Sequence, residues 1–371
     1  MKIGIILGTR PEIIKVAPVI RYCIKEKIDF FVIHTGQHYS YNMDKIFFEE
    51  MEIPEPKYQL NIKSSAPHKQ GEHTGKMIIK IEEILLDEEP DSILVHGDTN
   101  TALSGALCAV KISTTKDYTG RFIHVGHIES GLRSFDRSMP EEVNRVIVDH
   151  LSNAVFPPTK SGNQNLLNEG IKPEKIHITG NTIVDAVMQN LKLSKKKFNV
   201  LEKLGLNDKG YFLVTAHRQE SVDVKDRLQN IITALEMIKQ EFKIPVVYPI
   251  HPRTMKMLEK FEIIVPKSIN IIEPLGFLEF LQLESHAKMT LTDSGGVQEE
   301  SCILKVPCIT LRNNTERPET LESGANMIGG YDPETILGCV RQMLDKKTDW
   351  KNPFGDGNAA KKIIDCMSEL S

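Results

Sequence analysis

Short apolar runs alternate with amphipathic helical periods along the whole chain, and no other property restricts its fold as much. Strands are predicted at 3–7, 30–34, 92–96, 122–126, 154–156 and 176–179 in the first half. In the second half they are predicted at 211–215, 246–249, 269–272, 288–292 and 308–311. Helical periods separate them, for example at 12–25, 71–86, 225–242 and 333–344. This is the pattern of βαβ units, and it predicts an α/β protein in which each half is a doubly wound parallel sheet. The strands read as continuous apolar runs because helices would cover both faces. A chain of 371 residues exceeds one ordinary core and suits two domains. The expected boundary is Gly180-Asn181-Thr182, with a first domain of 1–182 and a second of 183–354. A break at Asn352-Pro353-Phe354-Gly355-Asp356-Gly357 precedes a last helix at 359–370, so that 355–371 is expected to return to the first domain.

Composition narrows the partners. Hydrophobic residues make up 40% and charged residues 26%, which are globular values. A net charge of −4 leaves no footprint for a polyanion, so nucleic acid is not an expected partner. Lys195-Lys196-Lys197 reads as a solvated linker patch. The six cysteines include no Cys-x-x-Cys, which argues against a disulfide framework or a zinc site and for a reducing cytoplasm. The first apolar run ends at Arg10, too early for a signal peptide, and no stretch approaches the ~20 apolar residues needed to cross a membrane.

Polar residues collect where the predicted strands end. They are Gly8-Thr9-Arg10, Gly97-Asp98-Thr99, His127-Ile128-Glu129, Ala216-His217-Arg218, His251-Pro252-Arg253 and Asp293-Ser294-Gly295-Gly296. In open α/β sheets ligands bind at that edge, and two such sheets facing each other would line a central cleft with all six groups. Ser294-Gly295-Gly296 is the most informative of them. Glycine lets a backbone approach a ligand closely, and the following helix N-terminus would favour a phosphate. Glu300 lies a little over one helical turn inside, within reach of a sugar hydroxyl. The competing reading is a turn capped by Ser294.

The other groups have local readings of their own. Pro11 suits a first helical turn, from which Arg10 and Lys15 would both reach a diphosphate. Neither a Walker loop nor a Gly-x-Gly-x-x-Gly follows the first strand, which weakens any dinucleotide-cofactor reading. Asp98 or Thr99 can be read as the N-cap of a helix at 100–112. Glu129, between a strand and a glycine turn, caps nothing obvious. Glu141 and Glu142 open a helix, where the dipole favours acids. His217 and Arg218 suit phosphate binding or acid–base chemistry, His251 reads as structural, and Arg317 reads as an anion contact. No His and carboxylate set has metal-ligand spacing, and no Gly-x-Ser-x-Gly elbow occurs.

Together these motifs resemble the non-hydrolysing UDP-N-acetylglucosamine 2-epimerases. The matching stretches are 8–15, 95–101, 125–133, 140–145, 179–185, 214–218, 291–300 and 315–319, in the family's order and across nearly the whole chain. The resemblance implies two Rossmann-like domains about a central cleft in the glycosyltransferase-B arrangement, and a homodimer. It implies that Ser294, Gly295 and Gly296 hold the pyrophosphate of UDP, that Glu300 meets the ribose, and that Phe280 lies by the uracil. Arg10, Lys15, His217 and Arg317 would add contacts to the nucleotide. Asp98, Glu129 and Glu141 match the family's catalytic carboxylates, with His217 beside them, and Arg133, Asn144 and Arg145 fall in its sugar-binding stretches. The region from Gln37 to Lys45, where some members bind an activating UDP-sugar, matches only partly, and 114–121 is longer than usual.

The implied chemistry explains these residue types. C2 of an acetamido sugar has no neighbouring carbonyl carbon, so its proton is not acidic. Loss of UDP from C1 together with the C2 proton gives a 2-acetamidoglucal, and re-addition after protonation of the other face inverts C2. This needs acid–base groups and fixed positive charge for the departing UDP, but no metal, nicotinamide or other cofactor. Asp98 and Glu141 are expected to transfer protons, with Glu129 assisting or orienting. The same stretches also resemble epimerases of UDP-2,3-diacetamido-2,3-dideoxy-glucuronate, whose acidic C6 would call for Arg133 or Arg137. A UDP-sugar transferase of the same fold, a hydrolysing epimerase and a catalytically silent sensor are the competing readings.

Overall fold

The computed structural model describes residues 1–36, 41–62, 69–113 and 122–370, with the backbone alone at 41–44. Gln37, His38, the side chains of the partly matching segment at 41–44, and the longer segment at 114–121 lie outside the described residues. The chain divides into two compact units, Met1–Met188 with Phe354–Ser371, and Gln189–Pro353.

The strands of the first unit are β1 (Lys2–Leu7), β2 (Asp29–His34), β3 (Tyr58–Gln59), β4 (Ser92–His96), β5 (His124–Ile128) and β6 (Ala154–Phe156). They form one sheet in the order β3-β2-β1-β4-β5-β6, with every pairing parallel. The second unit holds β7 (Phe212–Thr215), β8 (Val246–Pro249), β9 (Ile269–Ile272), β10 (Met289–Thr292), β11 (Cys308–Thr310) and β12 (Asn326–Ile328). Its order, β12-β11-β10-β7-β8-β9, is the same winding, again wholly parallel. In each sheet the strand order reverses between the first and fourth strands, β1 and β4 or β7 and β10. The loops that leave those strands therefore splay apart and open a crevice.

Burial follows from the apolar runs. Ile3, Ile5 and Leu7 of β1 pack with Ile13, Val16 and Ile20 of the helix Arg10–Glu26. The last helix, Ala359–Leu370, adds Ile363, Ile364 and Met367 to that same core. Asp185 anchors its start, accepting from Ala359 N at 3.2 Å and Ala360 N at 3.1 Å. On the sheet's other face Ile6, Ile33, Ile93 and Val95 meet Met77, Ile81 and Ala106. The second unit packs Phe212, Val214 and Leu291 against Leu228, Ile231, Leu235 and Val340.

Three sequence expectations need correction. No strand forms at 176–179; Ile176 makes one isolated bridge to Val155, and the two-residue β3 takes the opposite edge instead. The strand expected at 122–126 is shifted, so that Gly126, His127 and Ile128 belong to β5 and Glu129 follows it directly. Lys195, Lys196 and Lys197 are not linker: they end the helix Thr182–Lys197, where cations suit the dipole.

Candidate active site

In the first unit the strand-end loops converge at the β1/β4 crevice. Thr9 precedes the helix Arg10–Glu26, and Arg10 lies over the Phe47 ring at 5.4 Å. One turn on, Lys15 forms an ion pair with Glu129. Glu129 adopts φ +63°, a strained conformation for a residue with a side chain. Its carboxylate also lies 3.6 Å from His96 Nε2. Burial lowers His96 to about 4, so the ring meets Glu129 as a neutral imidazole at neutral pH.

The Asp98 loop is held from several sides. Arg145 pairs with the Asp98 carboxylate, and Asn144 Nδ2 donates to its carbonyl at 2.9 Å. Arg145 also donates to Glu142 Oε2 at 2.8 Å. Glu142 in turn accepts from the backbone N–H of Ser134 and Phe135, at 2.9 and 3.0 Å. Burial works against this carboxylate, but those donors and Arg145 prevail and hold it below its ordinary range. Thr99, not Asp98, is the N-cap of the helix Asn100–Ala109, accepting from Ala102 N at 3.1 Å. Glu141 lies exposed in the first turn of the helix Pro140–Leu151, with no ion-pair partner among the described residues.

Beneath the Glu129 turn lies a buried charge network. Asp149 accepts from His127 Nδ1 at 2.6 Å, from Gly131 N at 3.1 Å and from Arg133 at 2.7 Å. Arg133 closes a fork on Glu169 and its side chain is 1% exposed. Its guanidinium is therefore enclosed under the loop, away from solvent. Removing one partner of such a buried pair typically costs about 3–5 kcal/mol.

Sequence reasoning missed Glu12, a buried carboxyl of this unit with no ion-pair partner among the described residues. Its Oε2 accepts from Gly8 N at 2.9 Å and its Oε1 from Thr99 Oγ1 at 2.7 Å. Burial outweighs these bonds and raises it from 4.5 to about 7. The folded protein thus holds this proton more tightly than the unfolded chain. The associated stability is complete below about 4.5 and is lost as pH rises through about 7. Glu12→Gln is expected to flatten that part of the stability profile, a difference on the order of 3 kcal/mol, measurable by urea unfolding on either side of the window.

In the second unit, the β7 and β10 ends are joined by Asp293, which is fully buried and accepts from His217 N and Arg218 N at 2.9 and 2.8 Å. His217 Nδ1 faces its other oxygen at 3.7 Å. His251 caps the helix Pro252–Phe261 and packs its ring 5.3 Å from His217. Ser294 is the N-cap position of the helix Gly295–Leu304, yet its side chain makes no capping bond; its N–H is taken by Thr292 Oγ1 at 2.9 Å. The fold does not demand glycine at the next two positions. Neither has a positive φ, and a Cβ at Gly295 would approach nothing nearer than 3.8 Å, or at Gly296 nothing nearer than 3.9 Å.

The groups flanking Gly295 are Arg218 and Arg317. Burial pushes Glu316 upward, but Arg218, Arg312 and Arg317 prevail and hold it low, a sign of dense positive charge beside the helix N-terminus. Arg317 Nε also pairs with the buried Glu299 at 2.9 Å. Glu300 is largely buried on the same helix. Burial and the Glu300 charge push its neighbour Glu284 up, and Ser301 Oγ donates to Glu284 at 2.6 Å. Phe280 packs its ring against the core around Tyr211 and Leu213. Among the described residues no His, Cys, Asp and Glu group could hold a metal ion, and no helix is long and apolar enough to cross a membrane.

Known proteins share this fold. The family model for UDP-N-acetylglucosamine 2-epimerase matches residues 23–368. The UDP-N-acetylglucosamine 2-epimerase of Methanocaldococcus jannaschii is 54% identical over 370 residues, covering 98% of each chain. A crystal structure of the M. jannaschii enzyme in complex with UDP-GlcNAc and UDP superposes with a TM-score of 0.82 at 53% identity, covering 100% of both chains. The UDP-2,3-diacetamido-2,3-dideoxy-D-glucuronate 2-epimerase of Pseudomonas aeruginosa is 38% identical over 373 residues, covering 100% of both. With two parallel sheets of one winding and a family match over almost its full length, the chain belongs to the UDP-N-acetylglucosamine 2-epimerase family.

Proposed function

We propose that the protein interconverts UDP-N-acetylglucosamine and UDP-N-acetylmannosamine, without releasing free sugar, to supply a precursor for glycan synthesis. The observation that carries this reading is the Gly295-Gly296 helix N-terminus, left free of side-chain capping and flanked by Arg218 and Arg317. Unpaired N–H groups, the helix dipole and two guanidinium groups together favour a pyrophosphate. Arg218 thereby joins Arg10, Lys15, His217 and Arg317 in the proposed nucleotide set. Glu300 takes the ribose and Phe280 the uracil.

The reaction follows from what each group can do. A base removes the C2 proton while the C1–O bond breaks, its electron pair leaving with UDP as the C1=C2 bond forms. In the return step the other face of C2 receives a proton and a UDP oxygen bonds to C1. Asp98 and Glu141 are the proposed proton-transfer residues. Glu129, fixed by Lys15 and beside a neutral His96, orients the sugar, and His217 assists at the leaving phosphate. Arg133 is not placed on the sugar, because Asp149 and Glu169 hold its enclosed guanidinium. Asn144 and Arg145 act by steadying Asp98. An enclosed Arg133 also leaves a C6 carboxylate without that cation, and the higher identity to the UDP-N-acetylglucosamine enzyme supports the neutral sugar. The protein is proposed to act in the cytoplasm as a homodimer.

Gly296→Ala tests the phosphate assignment. Alanine is the better helix former and meets no crowding, so stability should hold or rise by about 0.5–1 kcal/mol. The added methyl would stand where the pyrophosphate approaches, and UDP affinity measured by calorimetry should fall at least about tenfold. Unchanged affinity would remove the phosphate from this turn.

A further inference from the structure

Glu12 is only 2% exposed, and the groups facing it are neutral: the Gly8 N–H, Thr9 and the Thr99 hydroxyl. A buried carboxyl served by neutral donors alone is a costly way to join two loops. The two it joins flank the β1/β4 crevice. One leads into Arg10 and Lys15; the other carries Asp98 immediately before Thr99. The Thr99 hydroxyl has little freedom, since its oxygen already accepts from Ala102 N at 3.1 Å while its hydrogen points to Glu12.

We propose that Glu12 is a positioning residue for proton transfer, fixing the Asp98-Thr99 turn against the Gly8 turn and so setting the direction of the Asp98 carboxylate. The inference rests on the reading in which Asp98 handles the C2 proton. Ionised Glu12 accepts from both loops. Protonation reverses the Thr99 bond: the carboxyl O–H donates to Thr99 Oγ1, whose own hydrogen must turn to another acceptor, while the second oxygen still accepts from Gly8 N. The charged groups nearest the turn are Arg145 and Glu142 on the helix Pro140–Leu151, and Lys15, Glu129 and neutral His96 at the adjoining strand ends. Burial brings Glu12 to about 7, so the change of bonding falls near neutral pH.

The test compares the full-length parent with Glu12→Gln, Thr99→Val, their double mutant and Thr99→Ser. Turnover of UDP-N-acetylglucosamine is followed by C2 deuterium incorporation between about pH 5.5 and 9. Glu12→Gln and Thr99→Val should each lower kcat by about 10–100-fold with KM changed less than about threefold, as expected for a misdirected group. The double mutant should be no worse than either single one, Thr99→Ser should recover most of the loss, and an ionisation near 7 in the parent's kcat profile should be missing from Glu12→Gln. A Glu12→Gln enzyme with the parent's kcat and pH profile, or losses that multiply in the double mutant, would overturn the inference. If Glu12→Gln fails to fold, Thr99→Val with undiminished kcat overturns it equally. A parent that exchanges no deuterium removes the epimerase reading itself, an outcome distinct from exchange that ignores Glu12.

Discussion

Asp98→Asn is expected to lower C2 exchange by roughly 10²–10⁴-fold, the usual contribution of a positioned acid or base. The substitution is well suited to isolating chemistry from folding. Asparagine still offers an oxygen to Arg145, and the Asn144 bond goes to the residue 98 carbonyl, which does not change. Glu142, Ser134 and Phe135 keep their own bonds, so the loop should survive. Glu141→Gln should cause a loss of the same order with still less effect on stability, because Glu141 is exposed and unpaired among the described residues. Exchange kinetics beside thermal denaturation would separate the two effects. Near-normal turnover in both variants would refute the assignment of proton transfer to these carboxylates.

Gly131→Ala is expected to be the most destabilising single-methyl change in the first unit. Gly131 has φ +71°, where an L side chain costs about 1–2 kcal/mol. The new Cβ would also stand 2.4 Å from Gly162 O and 2.8 Å from Gly162 C. Both are backbone atoms at the start of the helix Lys160–Asn168, so relief requires moving a helix rather than turning a side chain. Overpacking of this kind adds about 1–3 kcal/mol. A combined loss of about 2–5 kcal/mol should lower the melting temperature by on the order of 10 °C for a unit of this size. The same shift would disturb Glu129, two residues earlier and already at φ +63°, so exchange should fall even below the melting transition. An unchanged melting temperature and turnover would mean the turn tolerates a side chain.

Much of the architecture was legible because parallel strands covered on both faces must be largely apolar, and β1, β4 and β8 are. What escaped had no such signature. Tyr58-Gln59 is only two residues long and half polar, so nothing in its composition marks β3 as a strand. The alternating segment Ile176-His177-Ile178-Thr179 makes one bridge beside β6, and Ile178 is left exposed. At the site, the strand-end motifs pointed to the right loops but not to the couplings between them. Glu12 stands in a first helical turn, where an acid is ordinary, and the fold sets it against Thr99 at the end of β4, the neighbour of β1. Arg133 looked available to a ligand until Asp149 and Glu169, from elements 16 and 36 residues later, enclosed it. The Ser294 turn went the other way: its sequence allowed a capping serine, and the missing cap leaves the helix N-terminus open between two arginines.

In the proposed reaction C2 loses and regains its proton while UDP leaves and returns. The purified protein, incubated with UDP-N-acetylglucosamine in D2O and followed by proton NMR, tests it directly. Deuterium is expected at C2 of both UDP-N-acetylglucosamine and UDP-N-acetylmannosamine, with no accumulation of free sugar. A C2 proton that stays in place, or UDP released with free N-acetylmannosamine, would contradict it.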